Sequence, residues 1–162
     1  FNIPLDEYPR RCVNQIADWE KQRKELVGNE RIEHIKSREY AADIIKAMVT
    51  DIPYKINGNV LNDGLIDNLP KEACVEVPCL IDRSGISPCH MGNLPEQLAA
   101  LNRTNINVQL MVLEAYRTKK KEDVYMAAYL DPHTSAELSL DEIKALCDEL
   151  IEAHGNWLPE LH

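Results

Sequence analysis

"CVEVPCLIDRSGISPCHM", Cys74 to Met91, is the stretch whose reading decides the fold. Val75, Val77, Cys79 and Ile81 alternate with Glu76, Pro78, Leu80 and Asp82, the period of two that a strand with one buried face requires. "DRSG" (Asp82 to Gly85) has turn chemistry, so "ISPCHM" reads as the returning strand of a hairpin. Pro88 has no N–H to give a ladder, which predicts an edge or irregular position for that strand. Upstream, Tyr54 and Ile56 alternate with Lys55 and Asn57, predicting another strand. Its alternation slips at Val60-Leu61 as at a bulge, and Asn62-Asp63-Gly64 follows as a turn.

On either side the period lengthens to that of a helix. "DEYPRRCVNQIADWEKQRKEL" spaces Cys12, Ile16, Trp19 and Arg23 or Leu26 by threes and fours, with Pro9 near the start, where a helix tolerates it. "RIEHIKSREYAADIIKAMVTD" predicts a second helix, with Ile35, Tyr40, Ile44, Ala47 and Met48 on its apolar stripe and Pro53 beyond its end. After the hairpin, Leu94, Leu98, Leu101, Val108, Val112 and Ala115 support one long or broken helix, and Val124, Ala127, Ala128 and Tyr129 a short one. Ser139 and Glu142 form a capping-box pattern ahead of a face of Leu140, Ile143, Leu146, Leu150 and Ile151. Helices flanking a small mixed or antiparallel sheet make an α+β domain.

A chain of 162 residues is about the size of one ordinary domain. Its formal net charge of -9 argues against nucleic acid as a partner, because binding a phosphate backbone relies on clustered Lys and Arg. The one basic run, "RTKKKED" (Arg117 to Asp123), has acidic neighbours and reads as a solvated helix end. No apolar run is long enough to span a bilayer, and "FNIPLDEYPRR" lacks the charged and apolar regions of a signal peptide. The chain begins at Phe1, and we expect it to be cut from something longer. Five cysteines, an odd number without an export signal, suit free thiols and a cytoplasmic location. Cys89 beside His90, with Cys74 and Cys79 upstream, lacks the paired spacings of a zinc site, so no metal site is expected from them.

The segment "NGNVLNDGLIDNLP" (Asn57 to Pro70) is compatible by composition with a turn, a phosphate or calcium loop, or a piece of a pocket. In a calcium-loop frame starting at Asn59, Leu61 falls on a ligand position and Pro70 where a bidentate Glu belongs. Gly58 and Gly64 supply neither a Walker loop nor a dinucleotide fingerprint. A bulge and turn beside a sheet remain, with polar side chains that can still re-aim toward a ligand. Glu76 is either an acid or base in a cleft or a residue on the wetter sheet face, and a solvated face is the simpler reading. His90 and His133 have no neighbouring nucleophile motif, and Asn102-Arg103-Thr104 matches a glycosylation acceptor by accident of helix sequence.

"NDGLIDNLP", "CVEVPCLIDRSG" and "GNLPEQLAALNRTNINVQ" together closely resemble the carboxy-terminal part of the NAD- and manganese-dependent family-four glycosidases, which include bacterial α-galactosidases, α-glucosidases and α-galacturonidases. "SREYAADII" and "AELSLDEIKALCDELIEAHGNWLPEL" extend the match over nearly the whole chain, and it looks closest to the α-galactosidase and α-galacturonidase side. The resemblance implies a fold like the carboxy-terminal domain of lactate and malate dehydrogenases. Residues 1–162 would then be the substrate-side domain, and an NAD-binding Rossmann domain would precede them. It also implies O-glycoside hydrolysis in which NAD oxidises the sugar at C3, a tyrosine base takes the C2 proton, and manganese stabilises the developing charge. An acid would assist loss of the aglycone as the glycosidic bond breaks, water would then add, and the hydride would return to C3.

The family's metal-binding Cys and His and its catalytic Asp and Tyr belong to segments upstream of Phe1. No catalytic, cofactor-binding or metal residue is therefore assigned here, and the chain by itself is expected to be inactive and to bind neither NAD nor manganese. As the resemblance implies, the helix matching "SREYAADII" begins near the substrate, making Ser37, Arg38, Glu39 and Tyr40 the first pocket candidates. The plainer alternative makes Tyr40 a core residue and the others a helix start. Asn59, Asn62 and Asp63 are the second group, shaping a pocket rim or a subunit contact. A small glycoside is the expected substrate of the longer enzyme and a homo-oligomer its expected state. The alternative is a non-catalytic oligomerisation or sugar-binding domain.

Overall fold

The computed structural model describes residues 2–28 and 35–162, which divide into two units, Phe1–Glu39 and Tyr40–His162. Each is described by itself. The first contains helix α1 (Glu7–Gly28), which forms where the spacing of Cys12, Ile16 and Trp19 predicts it. Glu7 in its first turn accepts from Arg10 and, at 2.8 Å, from Arg11 Nε. None of its residues is buried, and Ile16 and Trp19 are more than half exposed.

The second unit begins with α2 (Ala41–Thr50). This helix is shorter than the predicted one: Tyr40 holds the N-cap position, Ser37 to Glu39 lie outside the helix, and residues 31–34 lie outside the described residues. Asp51 ends α2 at φ 61°, a left-handed conformation that Asp tolerates better than most residues, and its N–H donates to Ala47 O. The Asp51 carboxylate also accepts from Arg83 N at 3.2 Å, fastening α2 to the hairpin turn.

Three antiparallel strands follow, β1 (Tyr54–Leu61), β2 (Cys74–Asp82) and β3 (Gly85–Pro88), in the order β1-β2-β3. The alternation read for β2 holds throughout, with Val75, Val77, Cys79 and Ile81 all buried. Pro88 closes the edge strand β3, as its missing donor requires. The expected bulge is absent, because β1 pairs with β2 residue by residue from Tyr54↔Ile81 to Leu61↔Cys74. Its inward set is Ile56, Gly58 and Val60, and Leu61 points outward, 62% exposed. A hydrophobicity count skips Gly58, so an unbroken alternation looks broken in the sequence.

At Gly58 the backbone of β1 lies close against Cys79: a Cβ placed there would lie 3.1 Å from Cys79 Sγ. Gly58→Val is expected to cost about 1–3 kcal/mol through overpacking. Adding Cys79→Ala removes the atom it meets, so a urea double-mutant cycle should show a favourable coupling between the two changes. Simple additivity would contradict this account of the contact.

The sheet core is completed by Ile66, Leu69, Ala73, Ala99 and Ile106, with Leu94 and Leu110 partly buried against it. Ala99 and Ile106 belong to α3 (Glu96–Thr118), one unbroken helix. The buried side of α3 follows the predicted stripe only in part: Ala115 is buried as expected, but Leu98, Leu101 and Val112 are exposed, and Ala99 and Ile106, outside the stripe, are buried instead. Lys119 ends it in the left-handed region, and Lys119 and Lys120 are solvated as the basic run predicts.

Helices α4 (Lys121–Leu130), α5 (Thr134–Glu137) and α6 (Leu140–His154) and a 3-10 turn (Gly155–Trp157) close the unit. The Ser139–Glu142 capping box is present in both directions. Leu140, Leu146 and Leu150 of the predicted face are exposed; Ile143 and Cys147 carry the burial, packing with Tyr125 in a second core. Asp148 sits beside that core with Lys121 Nζ at 2.7 Å, Lys144 Nζ at 2.9 Å and the Tyr125 hydroxyl, which together hold its carboxyl well below the usual range. The last residue is stitched to the α3–α4 link: His162 N donates to Lys119 O and Lys121 N donates to His162 O, each at 3.0 Å. No helix among the described residues is long and apolar enough to cross a membrane.

Candidate functional site

The second unit has its most elaborate polar architecture where β1 runs into the segment 62–73. Asn62 N donates to Ala73 O at 2.8 Å, so the segment leaves and rejoins the sheet as a closed loop. The Asn62 side chain, fully buried, fills the middle. Its Oδ1 accepts from Ile66 N at 2.7 Å, and its Nδ2 lies 2.9 Å from Ile66 O and 3.1 Å from both Leu69 O and Pro70 O. The amide supplies what a turning main chain cannot supply itself, and Gly64, at φ 76°, lets the chain reverse beside it.

A second segment, 89–95, lies along this loop. Met91 N donates to Leu65 O at 2.7 Å, and Asp67 N to Gly92 O at 3.1 Å. Asn68 and Leu94 exchange two bonds, Nδ2 to O at 2.8 Å and N to Oδ1 at 3.0 Å. His90 Nε2 lies 3.0 Å from Asp67 Oδ1 on the surface. From α3, Arg103 Nη2 reaches Asn68 O at 2.7 Å. The two segments and the helix are thus held as one frame by side chains that bond mainly to backbone.

Between this frame, α3 and the start of β2 lies a groove of about 350 Å³. Ile66, Leu69, Leu94 and Ile106 give it an apolar floor; Glu76, Asn102, Asn105 and Gln109 give it polar walls. The three carboxamides fall three and four residues apart, which puts them on one side of α3. Asn102 Nδ2 donates to Leu98 O at 2.9 Å. The walls offer donors and acceptors to a small polar solute.

The candidate residues read from sequence fall in different places. Ser37, Arg38 and Glu39 are exposed in the first unit, where Ser37 Oγ accepts from Glu39 N at 3.4 Å. Tyr40 is half exposed at the head of α2, so it is not a core residue. Asn59 is exposed on β1 directly opposite Glu76, so both side chains leave the same face of the sheet. Asp63 is exposed on the closed loop, whereas Asn62 has no free polar atom and shapes the loop from within. Glu76 is exposed, as the solvated-face reading has it, and also lines the groove. His90 pairs with Asp67, and no group of three His, Cys, Asp or Glu side chains among the described residues could hold a metal ion. The groove's Asn105 and Gln109 were missed. Their signal in the sequence is the spacing of three carboxamides by three and four residues, on a helix whose apolar residues dominate its pattern.

The profile of the family 4 glycosyl hydrolase C-terminal domain matches residues 1–134. The α-galactosidase of Bacillus subtilis (strain 168) is 63% identical over 160 residues, which are 99% of this chain and 37% of that protein. The α-galactosidase of Rhizobium meliloti (strain 1021) is 35% identical over 77% of this chain and 26% of its own length. A crystal structure of a 6-phospho-α-glucosidase from gut microorganisms, in complex with NAD and Mn2+, superposes with a TM-score of 0.72 at 20% identity, covering 83% of this chain and 30% of that one. This chain therefore spans between about a quarter and little more than a third of the length of these curated relatives. By its sequence and its α+β architecture, the chain belongs to the C-terminal domain family of the family 4 glycosyl hydrolases.

Proposed function

We propose that this chain is the substrate-side, carboxy-terminal domain of a longer cytoplasmic glycosidase that hydrolyses O-glycosidic bonds of an α-galactoside, with α-glucosides and α-galacturonides as the neighbouring possibilities. The observation that carries the reading is the 63% identity to the Bacillus subtilis α-galactosidase over 99% of the chain. The rest of that enzyme would include the dinucleotide-binding domain that this chain lacks. NAD and manganese are the cofactors of the proposed whole enzyme. The residues described here do not fit either group: they include no three-member metal cluster and no glycine fingerprint. The chain alone is proposed to be inactive.

What this domain contributes is shape. The frame built on Asn62 and Asn68 holds two loops in fixed register, and a rigid frame is what positions a sugar for chemistry performed elsewhere. Ser37, Arg38, Glu39, Tyr40, Asn59 and Asp63 remain the pocket candidates, with Asn62 supporting the rim from beneath. Exposed Leu101, Leu113 and Tyr116 on α3 support a homo-oligomer for the longer protein, detectable by sedimentation.

The test is activity of the upstream-extended protein on nitrophenyl α-glycosides and α-galacturonides, with and without NAD and Mn2+. The expected result is release of nitrophenol from the α-galactoside only when both cofactors are present, and none from the 162-residue chain under any condition. Cofactor-independent activity, or activity of the short chain, would overturn the reading.

A further inference from the structure

We propose that Asp63 is a site of spontaneous isoaspartate formation that loosens the Asn62 loop, and that the fold protects Asn57, reversing the order expected of unstructured peptides. The reaction closes a five-membered ring between an Asp or Asn side chain and the next main-chain nitrogen. It is fastest before glycine, whose missing Cβ leaves that nitrogen open to approach. The chain has one Asn-Gly pair, Asn57-Gly58, and one Asp-Gly pair, Asp63-Gly64. Without structure the Asn-Gly pair reacts first, because at neutral pH an ionised carboxylate resists attack more than an amide does.

The fold treats the two pairs differently. Asn62 N donates to Ala73 O, and β1 pairs with β2 residue by residue from there, so the even-numbered residues of β1 turn their N–H groups toward β2. Gly58 N–H is thereby committed to the ladder opposite Val77. With Cys79 Sγ crowding it at 3.1 Å from a Cβ position, that peptide cannot swing toward the Asn57 side chain unless the strand opens. Asp63 and Gly64 are instead the central residues of a turn closed by Leu65 N donating to Asn62 O at 3.3 Å. The peptide between them takes no part in that bond, and Gly64 N–H has no partner among the described residues. Asp63 is exposed, and a Cβ on Gly64 would meet nothing within 4 Å, which leaves space for the ring.

Gly64 N attacks Asp63 Cγ, and the new C–N bond forms as the carboxyl hydroxyl leaves with the amide proton as water. Water then reopens the ring. Addition at Cγ restores Asp63; addition at the former main-chain carbonyl carbon breaks its bond to Gly64 N, frees it as a carboxylate and routes the chain through Cγ. Water is the sole co-reactant, and the mass is unchanged. The main chain gains one methylene inside the loop that the Asn62 side chain spans, so Ile66 N can no longer keep its 2.7 Å bond to Asn62 Oδ1. None of this depends on the glycosidase reading.

The experiment ages the 162-residue chain in neutral buffer at physiological temperature, beside a sample unfolded in guanidinium. One tryptic peptide, residues 56–71, carries both sites, and electron-transfer fragmentation distinguishes isoaspartate from aspartate at each. In the folded chain isoaspartate should accumulate at position 63 ahead of position 57. Unfolding should speed the reaction at Asn57 by at least about a hundredfold, since it otherwise waits for the strand to open, and change that at Asp63 by less than about tenfold. Asp63→Glu, which would need a six-membered ring, should abolish the product at 63 while leaving Asn57 as slow as before. In the purified isoaspartyl form, the Ile66 amide should exchange its hydrogen about tenfold faster or more. Reaction at Asn57 first in the folded chain, an Asp63 that reacts only after unfolding, or an isoaspartyl form whose Ile66 amide exchanges as before would each overturn the proposal.

Discussion

Asn62→Asp is expected to lower the free energy of unfolding by about 3–5 kcal/mol, measured as a fall in the urea midpoint at neutral pH. The substitution is nearly isosteric, so packing is not the cause. It replaces the Nδ2 donor, set among the carbonyls of Ile66, Leu69 and Pro70, with an anionic oxygen facing three acceptors in a fully buried position. Protonation restores one donor, so the deficit should shrink as pH falls through the raised pKa of the new carboxyl. Asn62→Ala should be destabilising as well, without that pH dependence. A midpoint that Asn62→Asp leaves unchanged would mean that the loop does not depend on this amide. Because a domain is stable by only about 5–15 kcal/mol, the aspartate variant should also be prone to proteolysis within 62–73.

Ile143→Ala should cost about 2–5 kcal/mol and Ile143→Val about 0.5–1.5 kcal/mol. Ile143 is completely buried and packs in a small core with Tyr125 and Cys147, flanked by Ala128, Tyr129 and Leu138. Few neighbours are available to collapse into the space an alanine leaves. This core is separate from the cluster under the sheet, so hydrogen exchange should rise first in α4 and α6, before the amides of β2. Equal acceleration in both regions would show instead that the two cores open as one.

The parts of the fold legible in sequence are those in which one local rule acts alone. In β2, alternation over Val75, Val77, Cys79 and Ile81 is complete, and the structure buries all four. At α6, Ser139 and Glu142 answer one another across a single turn. Where tertiary packing makes the choice, the reading fails. α3 carries apolar residues around much of its circumference, and it buries Ala99 and Ala115, which let it approach closely, rather than the larger Leu98 and Leu101. At Gly58 the register turns the position inward, and glycine suits it because a Cβ there would crowd the Cys79 thiol, a neighbour more than twenty residues away.

The candidate site was legible as a family more than as a geometry. Two of the phrases that carry the resemblance, from Asn62 to Pro70 and from Gly92 to Gln109, contain the residues that build the frame. Their individual roles were not readable. Asn62 and Asp63 are adjacent and similar in chemistry, yet one is sealed and the other is exposed. Periodicity assigns faces within helices and strands; it says nothing about which polar side chain a loop turns inward.

The closed loop has an evolutionary consequence. All the partners of the Asn62 side chain are main-chain atoms: three carbonyls, which any amino acid provides, and the N–H of residue 66, which any amino acid except proline provides. The side chains of Asp63, Asp67, Lys71 and Glu72 can therefore drift, exchange charge or acquire new chemistry while the course of the backbone stays the same. One carboxamide thus separates the inheritance of the loop's shape from the inheritance of its surface, leaving that surface open to selection for different solutes.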